Sequence, residues 1–196
     1  DTELYLVNSG ENTITRYNED SFEVEDELYL GSGQNPWQVI HHSGTTTAYI
    51  PCFVSGQVAV ADLSSMSGTA WIDVGTAPQG GVYAGPSDGS DGKVYICNTA
   101  YQYSTSSFGQ GTVSVIETAS DSVTATINVS KNPQTAIALP PPSTLPPGDS
   151  PSRVQVICTG ENESCADDGA VEVVNVSSDS VETISIGGSP GSYAVD

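Results

Sequence analysis

Short runs of alternating apolar and polar residues recur along the whole chain, separated by turns rich in Gly, Ser, Asn and Asp. Apolar side chains at every second position are typical of β-strands and not of helices. Four of these runs resemble one another, and they begin at Glu3, Thr47, Lys93 and Arg153. Self-similarity at a regular period indicates a chain built from copies of one supersecondary unit.

The same sequence of further strands follows each of these four runs. A second run comes after a short turn in every copy, at 13–18, 57–62, 112–117 and 170–175. A third run is clearest at 124–129 and 182–186. A turn with a proline then starts the last strand of the unit, at Pro36, Pro78, Pro133 and Pro190. Four antiparallel strands in about 45 residues are typical of a β-propeller blade.

We therefore predict an all-β fold, a β-propeller of four-stranded antiparallel blades. The repeats occupy approximately residues 1–34, 35–76, 77–131 and 132–188, and residues 189–196 form one more first strand. A parallel β-helix has shorter repeats without hairpins, and an immunoglobulin-like sandwich does not explain four copies. The chain starts on a second strand and ends on a first one. The last strand therefore either closes a four-bladed ring or belongs to a larger ring, for example of about seven blades, and we favour the larger ring.

One repeat resembles a known family. The string Gly-Thr-Val-Ser-Val-Ile-Glu-Thr-Ala-Ser-Asp-Ser-Val-Thr-Ala-Thr-Ile-Asn-Val at 111–129, followed by Asn132-Pro133-Gln134, closely resembles the YVTN-type β-propeller repeat. The strand and turn at 6–14 look similar, and four degraded copies cover almost the whole chain. The resemblance implies a secreted or surface protein of bacteria or archaea. Related propellers include lactonases and cofactor-binding redox domains, but their cofactor ligands have no matching positions here.

The charge of the chain excludes two kinds of partner. It has 24 acidic residues against 4 basic ones, and its net charge is −20. Binding of nucleic acid or of an anionic membrane surface depends on clustered Lys and Arg, which are missing. No apolar run is long enough for a membrane-spanning helix.

Two sets of residues are candidates for binding. The insertion 100–110 lengthens one hairpin and carries Tyr101, Tyr103 and Phe108, whose rings offer contact area at a low cost in entropy. The alternative is a loop that folds over its blade and buries these rings. A second set lies near the starts of the first strands, where side chains are expected to face the central channel: Trp37, Gln79, Gln134 and Tyr193.

The four cysteines are candidates for one or two disulfides. Cys158 and Cys165 flank a short turn between two strands, so a local bridge is expected there. Cys52 and Cys97 lie in equivalent strands of neighbouring blades, offset by one position, so they point to opposite sheet faces and an inter-blade bridge is allowed. The alternative for this pair is two buried thiols. Disulfides favour an oxidising, extracytoplasmic location.

Candidate residues for catalysis or metal binding are few. The adjacent His41 and His42 point to opposite sides of a regular strand, so we expect a solvated turn and no shared metal. Asp88 and Asp91 offer oxygen ligands for Ca²⁺, or they only shape an Asp-Gly turn. The carboxylate run at 19–27 is expected to be a solvated edge, with weak cation binding as the alternative. No other cofactor is predicted, and no catalytic arrangement of side chains is recognisable.

These observations lead to two hypotheses about function. The first is a non-catalytic, extracytoplasmic propeller that binds a protein or a cell-surface polymer through its rim loops, or that builds a surface structure. The second is part of a propeller enzyme or redox protein, lactonase-like or cofactor-binding, whose active residues lie outside this chain. The expected partners are a protein, a surface polymer or further propeller blades, without nucleic acid.

Overall fold

The structure is a computed structural model that describes residues 3–139, 151–161 and 168–191. All regular secondary structure in these residues is β-strand. A helix long and apolar enough to cross a membrane is accordingly missing from these ranges. The strands form four antiparallel sheets, which we call blades 1 to 4, and one small hairpin.

The strands follow one another along the chain blade by blade. Blade 1 contains β1 (Glu3–Asn8), β2 (Thr13–Asn18) and β3 (Val24–Tyr29). Blade 2 contains β4 (Ile40–His41), β5 (Thr47–Cys52), β6 (Gln57–Asp62) and β7 (Ser67–Asp73). Blade 3 contains β8 (Pro78–Ala84) and β9 (Lys93–Asn98), then the hairpin β10 (Tyr101–Gln102) and β11 (Ser107–Phe108), then β12 (Thr112–Glu117) and β13 (Ser122–Asn128). Blade 4 contains β14 (Pro133–Leu139), β15 (Arg153–Cys158), β16 (Ala170–Asn175) and β17 (Val181–Ser185).

Neighbouring strands within each blade pair antiparallel in chain order, which confirms the predicted all-β fold of four-stranded blades for blades 2 to 4. Blade 1 contains only the second to fourth strands of the pattern in the described residues, and β1 there pairs with β2 alone. The predicted closing strand around Tyr193 lies outside the described residues.

The turn between the third and fourth strand shares one backbone feature in every blade. One residue there adopts a left-handed conformation with φ between 46° and 55°: Phe22, Met66, Asp121 and Asp179. A side-chain oxygen at the end of the third strand accepts hydrogen bonds from the turn, as with Asn18 Oδ1 from Ser21 N at 3.0 Å. Asn175 does the same for Ser177 N at 3.0 Å. Such short polar side chains stabilise tight turns locally, which explains why the repeat is visible in the sequence.

Three apolar layers hold the blades face to face. The layer between blades 1 and 2 contains Ile14, Leu28, Leu30, Ile50, Cys52, Ala59, Ala61 and Met66. The layer between blades 2 and 3 contains Ile40, Tyr49, Val58, Val60, Ile72, Tyr83, Val94, Ile96 and Ile116. The layer between blades 3 and 4 includes Tyr95, Cys97, Val113, Val115, Val154, Val156, Cys158 and Val174. None of these three layers of described residues joins blade 4 to blade 1.

Polar contacts cross each layer close to its edge. Tyr49 Oη donates to Asp121 Oδ1 at 2.6 Å across blades 2 and 3, and Tyr95 Oη donates to Asp179 Oδ1 at 3.1 Å across blades 3 and 4. Burial, and then the adjoining carboxylate, raise the pKa of both tyrosines. Arg16 Nη1 donates to the carbonyl of the blade 2 residue Leu63 at 3.0 Å. Each interface thus has a directional contact in addition to its apolar packing.

Cys52, Cys97 and Cys158 are buried free thiols in this structure, so the alternative of two buried thiols holds for Cys52 and Cys97, and Cys158 forms no bridge here. Cys52 packs between blades 1 and 2, whereas Cys97 packs between blades 3 and 4, so their side chains face away from each other. Alternation places the two thiols on opposite sheet faces, but it does not tell which faces meet. Cys158 points into the layer that contains Cys97 instead of toward the loop. Its predicted partner Cys165 lies outside the described residues.

We expect Tyr49→Phe to lower the free energy of unfolding by about 1–2 kcal/mol, because Asp121 loses a hydrogen bond to a charged acceptor. Tyr103→Phe is the matched control, since Tyr103 is exposed and its change is expected to stay within about 0.5 kcal/mol. Urea unfolding followed by circular dichroism measures both values. Equal stabilities of the two variants would contradict a role for the Tyr49 hydroxyl between blades 2 and 3.

Burial raises the pKa of Cys52 and of Cys158 from 9.0 to about 12, in Cys158 with a smaller contribution from Glu172. The unfolded chain therefore ionises these thiols first, so their contribution to stability is complete below about pH 9 and falls as the pH rises toward about 12. At pH 8 we expect an aromatic disulfide reagent to label them only after unfolding in guanidinium chloride. Peptide mass spectrometry assigns the labelled positions and separates Cys165. Rapid labelling of Cys52 or Cys158 in the native protein would contradict this.

Candidate binding surface

Five aromatic side chains from blades 2 and 3 lie side by side on one rim, and we call them the aromatic row. Trp37 precedes β4, Phe53 follows β5, and Tyr101, Tyr103 and Phe108 belong to the β10–β11 hairpin. The ring centroids of Trp37 and Phe53 are 5.6 Å apart, and Phe53 lies 6.2 Å from both tyrosines. Tyr101 lies 5.2 Å from Tyr103 and 5.2 Å from Phe108. Tilted and edge-on rings at these distances attract one another.

Backbone hydrogen bonds fix the blade 2 part of the aromatic row. The peptide N–H of Trp37 donates to the Pro51 carbonyl at 3.0 Å, and that of Phe53 donates to the Asn35 carbonyl at 2.9 Å. Trp37 Nε1 donates to Asn35 Oδ1 at 2.8 Å. Asn35 adopts a left-handed φ of 54°, which asparagine tolerates better than most residues. The indole ring is therefore held by the same turn that starts the first strand of blade 2.

The blade 3 part of the aromatic row is an insertion that folds as its own hairpin. Tyr101 pairs with Phe108, so their side chains share one face of this hairpin. At its base the Gly109 N–H donates to the Ala100 carbonyl at 2.9 Å, and the Ala100 N–H donates to the Thr76 carbonyl at 3.0 Å. The second bond ties the insertion to the segment that enters β8. The rings consequently occupy a defined place beside blade 2.

The aromatic row is exposed and carries no charge. Tyr103 is 64% exposed and Trp37 is 45% exposed, while the other three rings are half-buried. The segments that build the row, residues 34–38, 51–57 and 98–111, contain no Asp, Glu, Lys or Arg. This is unusual in a chain with a net charge of −20. The insertion therefore does not simply bury its own rings, as the alternative expectation required.

Trp37 also lines a cleft of about 850 Å³ beside the inner edge of blade 1. One wall is β1, through Tyr5 and Val7, and the other comes from blade 2, through Trp37, Val39 and Leu63. Apolar and aromatic side chains thus form much of its surface, as is common in ligand sites. The cleft adjoins the aromatic row through Trp37 and runs along β1, the edge of blade 1 that pairs with β2 alone in the described residues, so the row itself is the candidate binding surface.

The predicted channel residues other than Trp37 do not join this surface. Gln79 and Gln134 are half-buried on the first strands of blades 3 and 4. A Cβ on Gly80 would overlap the carbonyl oxygen of Gln134, so these strands nearly touch. Gln38, which sequence reasoning missed, accepts a hydrogen bond from the Gly81 N–H at 2.9 Å. The centre is therefore closely packed at this point, and Tyr193 lies outside the described residues.

The two histidines do not form a shared site. His42 is buried between blades 2 and 3, with its ring 4.6 Å from Tyr83 and its Nε2 3.1 Å from the Ser90 carbonyl. His41 is exposed, and its Nε2 lies 2.7 Å from the Thr45 carbonyl. The expectation of a solvated turn therefore fits His41 and is wrong for His42, because the β8–β9 loop of blade 3 covers it.

Asp88 shapes a turn in the structure. Its Oδ1 accepts a hydrogen bond from the Ser90 N–H at 2.9 Å, and hydrogen bonds from the Ser90 side chain and backbone lower the pKa of Asp88. Within the ranges that the structure describes, there is no group of three or more His, Cys, Asp or Glu side chains placed to hold a metal ion. Ca²⁺ binding by Asp88 and Asp91 stays a prediction.

Phe53 is the member of the aromatic row that sequence reasoning missed. It follows the strand whose last residue, Cys52, bridges to Pro36. In this antiparallel pairing Phe53 lies opposite Asn35 and diagonally next to Trp37. Each first strand follows a turn with a proline. Pairing that start with the end of the second strand in the same blade would have indicated that Phe53 and Trp37 lie close together.

Solved structures with a similar fold belong to proteins at least about twice as long. Hydrazine synthase of Kuenenia stuttgartiensis superposes over 94% of this chain and 46% of its own, at 18% identity and a TM-score of 0.71. The RRP9 WD40 repeats match over 93% and 47%, at 12% identity and a TM-score of 0.68. Dihydro-heme d1 dehydrogenase NirN matches over 97% and 37%, at 13% identity and a TM-score of 0.63. These likenesses show a propeller fold and no more.

The sequence itself provides no closer relationship. No family model matches it, and no curated protein matches it. The chain spans about half the length of the first two structures named above.

Gly80→Ala is expected to destabilise the protein by about 1–3 kcal/mol, because the added methyl group has no room beside Gln134. Gly68→Ala is the control, since Gly68 lies in β7 with open space around the position of its missing Cβ. Thermal and urea unfolding measure both variants. A Gly80→Ala protein as stable as the Gly68→Ala protein would contradict the close approach of the first strands.

Proposed function

We propose that this chain is a non-catalytic binding module that holds a protein or a cell-surface polymer on the aromatic row. The observation that carries the proposal is an uncharged row of neighbouring rings on one rim of a strongly acidic propeller. Rim loops on a rigid repeat scaffold are common binding sites. All 24 acidic residues of the chain lie outside the segments that form the aromatic row.

The chemistry of the row favours a partner with flat or apolar surfaces. Exposed aromatic rings stack on apolar side chains or on the faces of sugar rings, while their edges and the Tyr103 hydroxyl provide direction. Without charges, the interaction depends on contact area and is insensitive to salt. The half-buried ring of Tyr101 packs against the exposed ring of Tyr103 and against Phe108, so little side-chain entropy is lost on binding.

An extracytoplasmic location belongs to the proposal and is supported by the resemblance to the YVTN-type repeat. The thiols give it no support, because Cys52, Cys97 and Cys158 are free. A location at the cell surface fits a polymer partner and an acidic protein that stays soluble through charge repulsion.

The second candidate function is part of a propeller enzyme or redox protein. Two of the similar structures carry enzyme names, hydrazine synthase and dihydro-heme d1 dehydrogenase, and this chain spans only 46% and 37% of them. On this hypothesis the reacting groups lie outside the 196 residues. What favours the binding module is the aromatic row itself, a set of neighbouring rings that lies entirely within this chain.

We expect Trp37→Ala and Tyr103→Ala each to weaken binding at least about tenfold, as is typical of an aromatic residue central to an interface. Trp71→Ala is the matched control, because Trp71 on β7 is also 45% exposed but lies outside the row. Titration with a panel of soluble neutral polysaccharides and with aromatic-rich peptides, at low and high salt, measures affinity by calorimetry. Tryptophan fluorescence of a Trp71→Phe variant reports on Trp37 alone.

Three outcomes separate the hypotheses. Loss of affinity in the row variants only, at both salt concentrations, supports the binding module. An equal loss in Trp71→Ala, or strong weakening by salt, contradicts a role for the row. Binding of a redox cofactor that survives Trp37→Ala and Tyr103→Ala supports the second candidate.

A further inference from the structure

Blade 1 has a sheet face that no described part of the chain covers. We call the face that packs on the following blade the front face, and the opposite one the back face. Cross-strand register places Leu4, Leu6, Val24 and Tyr29 on the back face of blade 1. They are 48%, 47%, 59% and 60% exposed. Such a cluster of exposed apolar side chains on one sheet indicates an interaction surface.

Blade 4 has the opposite free face. Its back face packs on blade 3 through Val154, Val156 and Val174. The alternate positions form its front face, where Val171 pairs with Ile184 on the neighbouring strand. Ile184 is 45% exposed, and Ile186 just beyond it is 51% exposed. One end of the stack of blades thus presents a back face whose exposed apolar side chains flank Glu27, and the other end presents a front face whose apolar side chains flank Glu182.

The two free faces have the same front-to-back orientation as the faces that meet in the three interfaces already present. In each of those, the front face of one blade meets the back face of the next. The front face of blade 4 and the back face of blade 1 are thus the two halves of one more interface of the same kind. Head-to-tail contacts of this type generate a closed ring when the rotation per blade closes.

The basic side chains of Lys93 and Arg153 support the same arrangement. Lys93 is the first residue of β9 on the front face of blade 3, and its Nζ donates to the Val176 carbonyl and to Asp179 of blade 4, both at 3.0 Å. Arg153 holds the equivalent position at the start of β15 in blade 4 and is exposed. Arg16, Lys93 and Lys131 all form ion pairs, whereas Arg153 has none among the described residues.

The matching turn on blade 1 is rich in carboxylates. Phe22 has the left-handed backbone that Asp179 has in blade 4, so the turn at 18–23 is equivalent to the turn that Lys93 contacts. Glu19, Asp20 and Glu23 surround Phe22, which is 70% exposed. An arginine docked there gains both carboxylate partners and an aromatic face.

We propose that a second copy of this chain covers both free faces. The front face of blade 4 in one copy packs on the back face of blade 1 in the other, and the reverse contact is identical by two-fold symmetry. Two open sets of four blades then form one ring of about eight, within the usual range for propellers. The similar solved structures have about twice this chain's length, as two copies would. The aromatic rows of both copies lie on the same rim.

Analytical ultracentrifugation of the 196-residue chain tests this directly. We expect a dimer with twice the 20.2 kDa mass of one chain. Leu6→Asp and Arg153→Glu are each expected to raise the dimer dissociation constant at least about tenfold, a typical effect for a central interface residue. Lys131→Glu is the matched control, because it makes the same change of charge at the Lys131–Glu161 pair, which lies at the blade 3–blade 4 junction and not on the free faces.

A charge exchange between two copies separates this interface from any other. A Glu19→Lys/Asp20→Lys variant and the Arg153→Glu variant each repel themselves, but mixed together each places opposite charges across both contacts. We expect the mixture to recover the dimer that neither variant forms well alone. Far-UV circular dichroism and urea unfolding check that each variant folds, and Tyr29→Asp replaces Leu6→Asp if the latter does not.

Four outcomes overturn the proposal. One is a monomer at all concentrations, which would show that a second copy of this chain does not cover the two faces. The second is a dimer that resists Leu6→Asp or Tyr29→Asp and Arg153→Glu alike. The third is an open polymer larger than a dimer, since it would show that two copies do not close a ring. The last is a failure of the mixed charge variants to associate.

Discussion

The structure depends on one constraint, which is that both faces of the central strands in a blade are apolar. In β5, Tyr49 packs toward blade 3 and Ile50 packs toward blade 1, and both are almost completely buried. A single sheet of this composition cannot bury both faces by itself, so each blade requires a neighbour on either side. The order of the layers, the burial of the thiols and the open faces of blades 1 and 4 all follow from this requirement.

The same stacking explains how charge is distributed. Carboxylates concentrate in turns and outer strands, where water solvates them, while three of the four basic residues form ion pairs with them. Lys93 and Arg16 reach over the edge of an apolar layer to the turn of the next blade. The few cations thus serve mainly to align blades. Most carboxylates lie at the surface, whereas Glu172 is buried and accepts hydrogen bonds from Ser130 and Thr183.

The candidate binding surface also arises from stacking. Trp37 and Phe53 come from blade 2, and the three remaining rings come from an insertion in blade 3. Two rigid blades in contact bring these segments together on one rim at ring distances of 5.2 to 6.2 Å. Placement at the ends of rigid strands and on a short hairpin limits the entropy lost when a partner binds. Because these segments carry no charge, binding there depends on contact area and not on ionic attraction.

The sequence by itself determined the local features of the fold. Alternation marked the strands, small polar residues marked the turns, and their repetition predicted the four blades, because backbone geometry sets both patterns. It also identified Trp37, Tyr101, Tyr103 and Phe108, although as two unrelated sets, and it missed Phe53. Only the tertiary structure decided that Cys52 and Cys97 face different layers, that His42 is buried, and that the rings form one row. Alternation along a strand shows that two side chains point to opposite faces of a sheet. Which of these faces meet depends on the direction in which the blades stack, and long-range packing decides that direction.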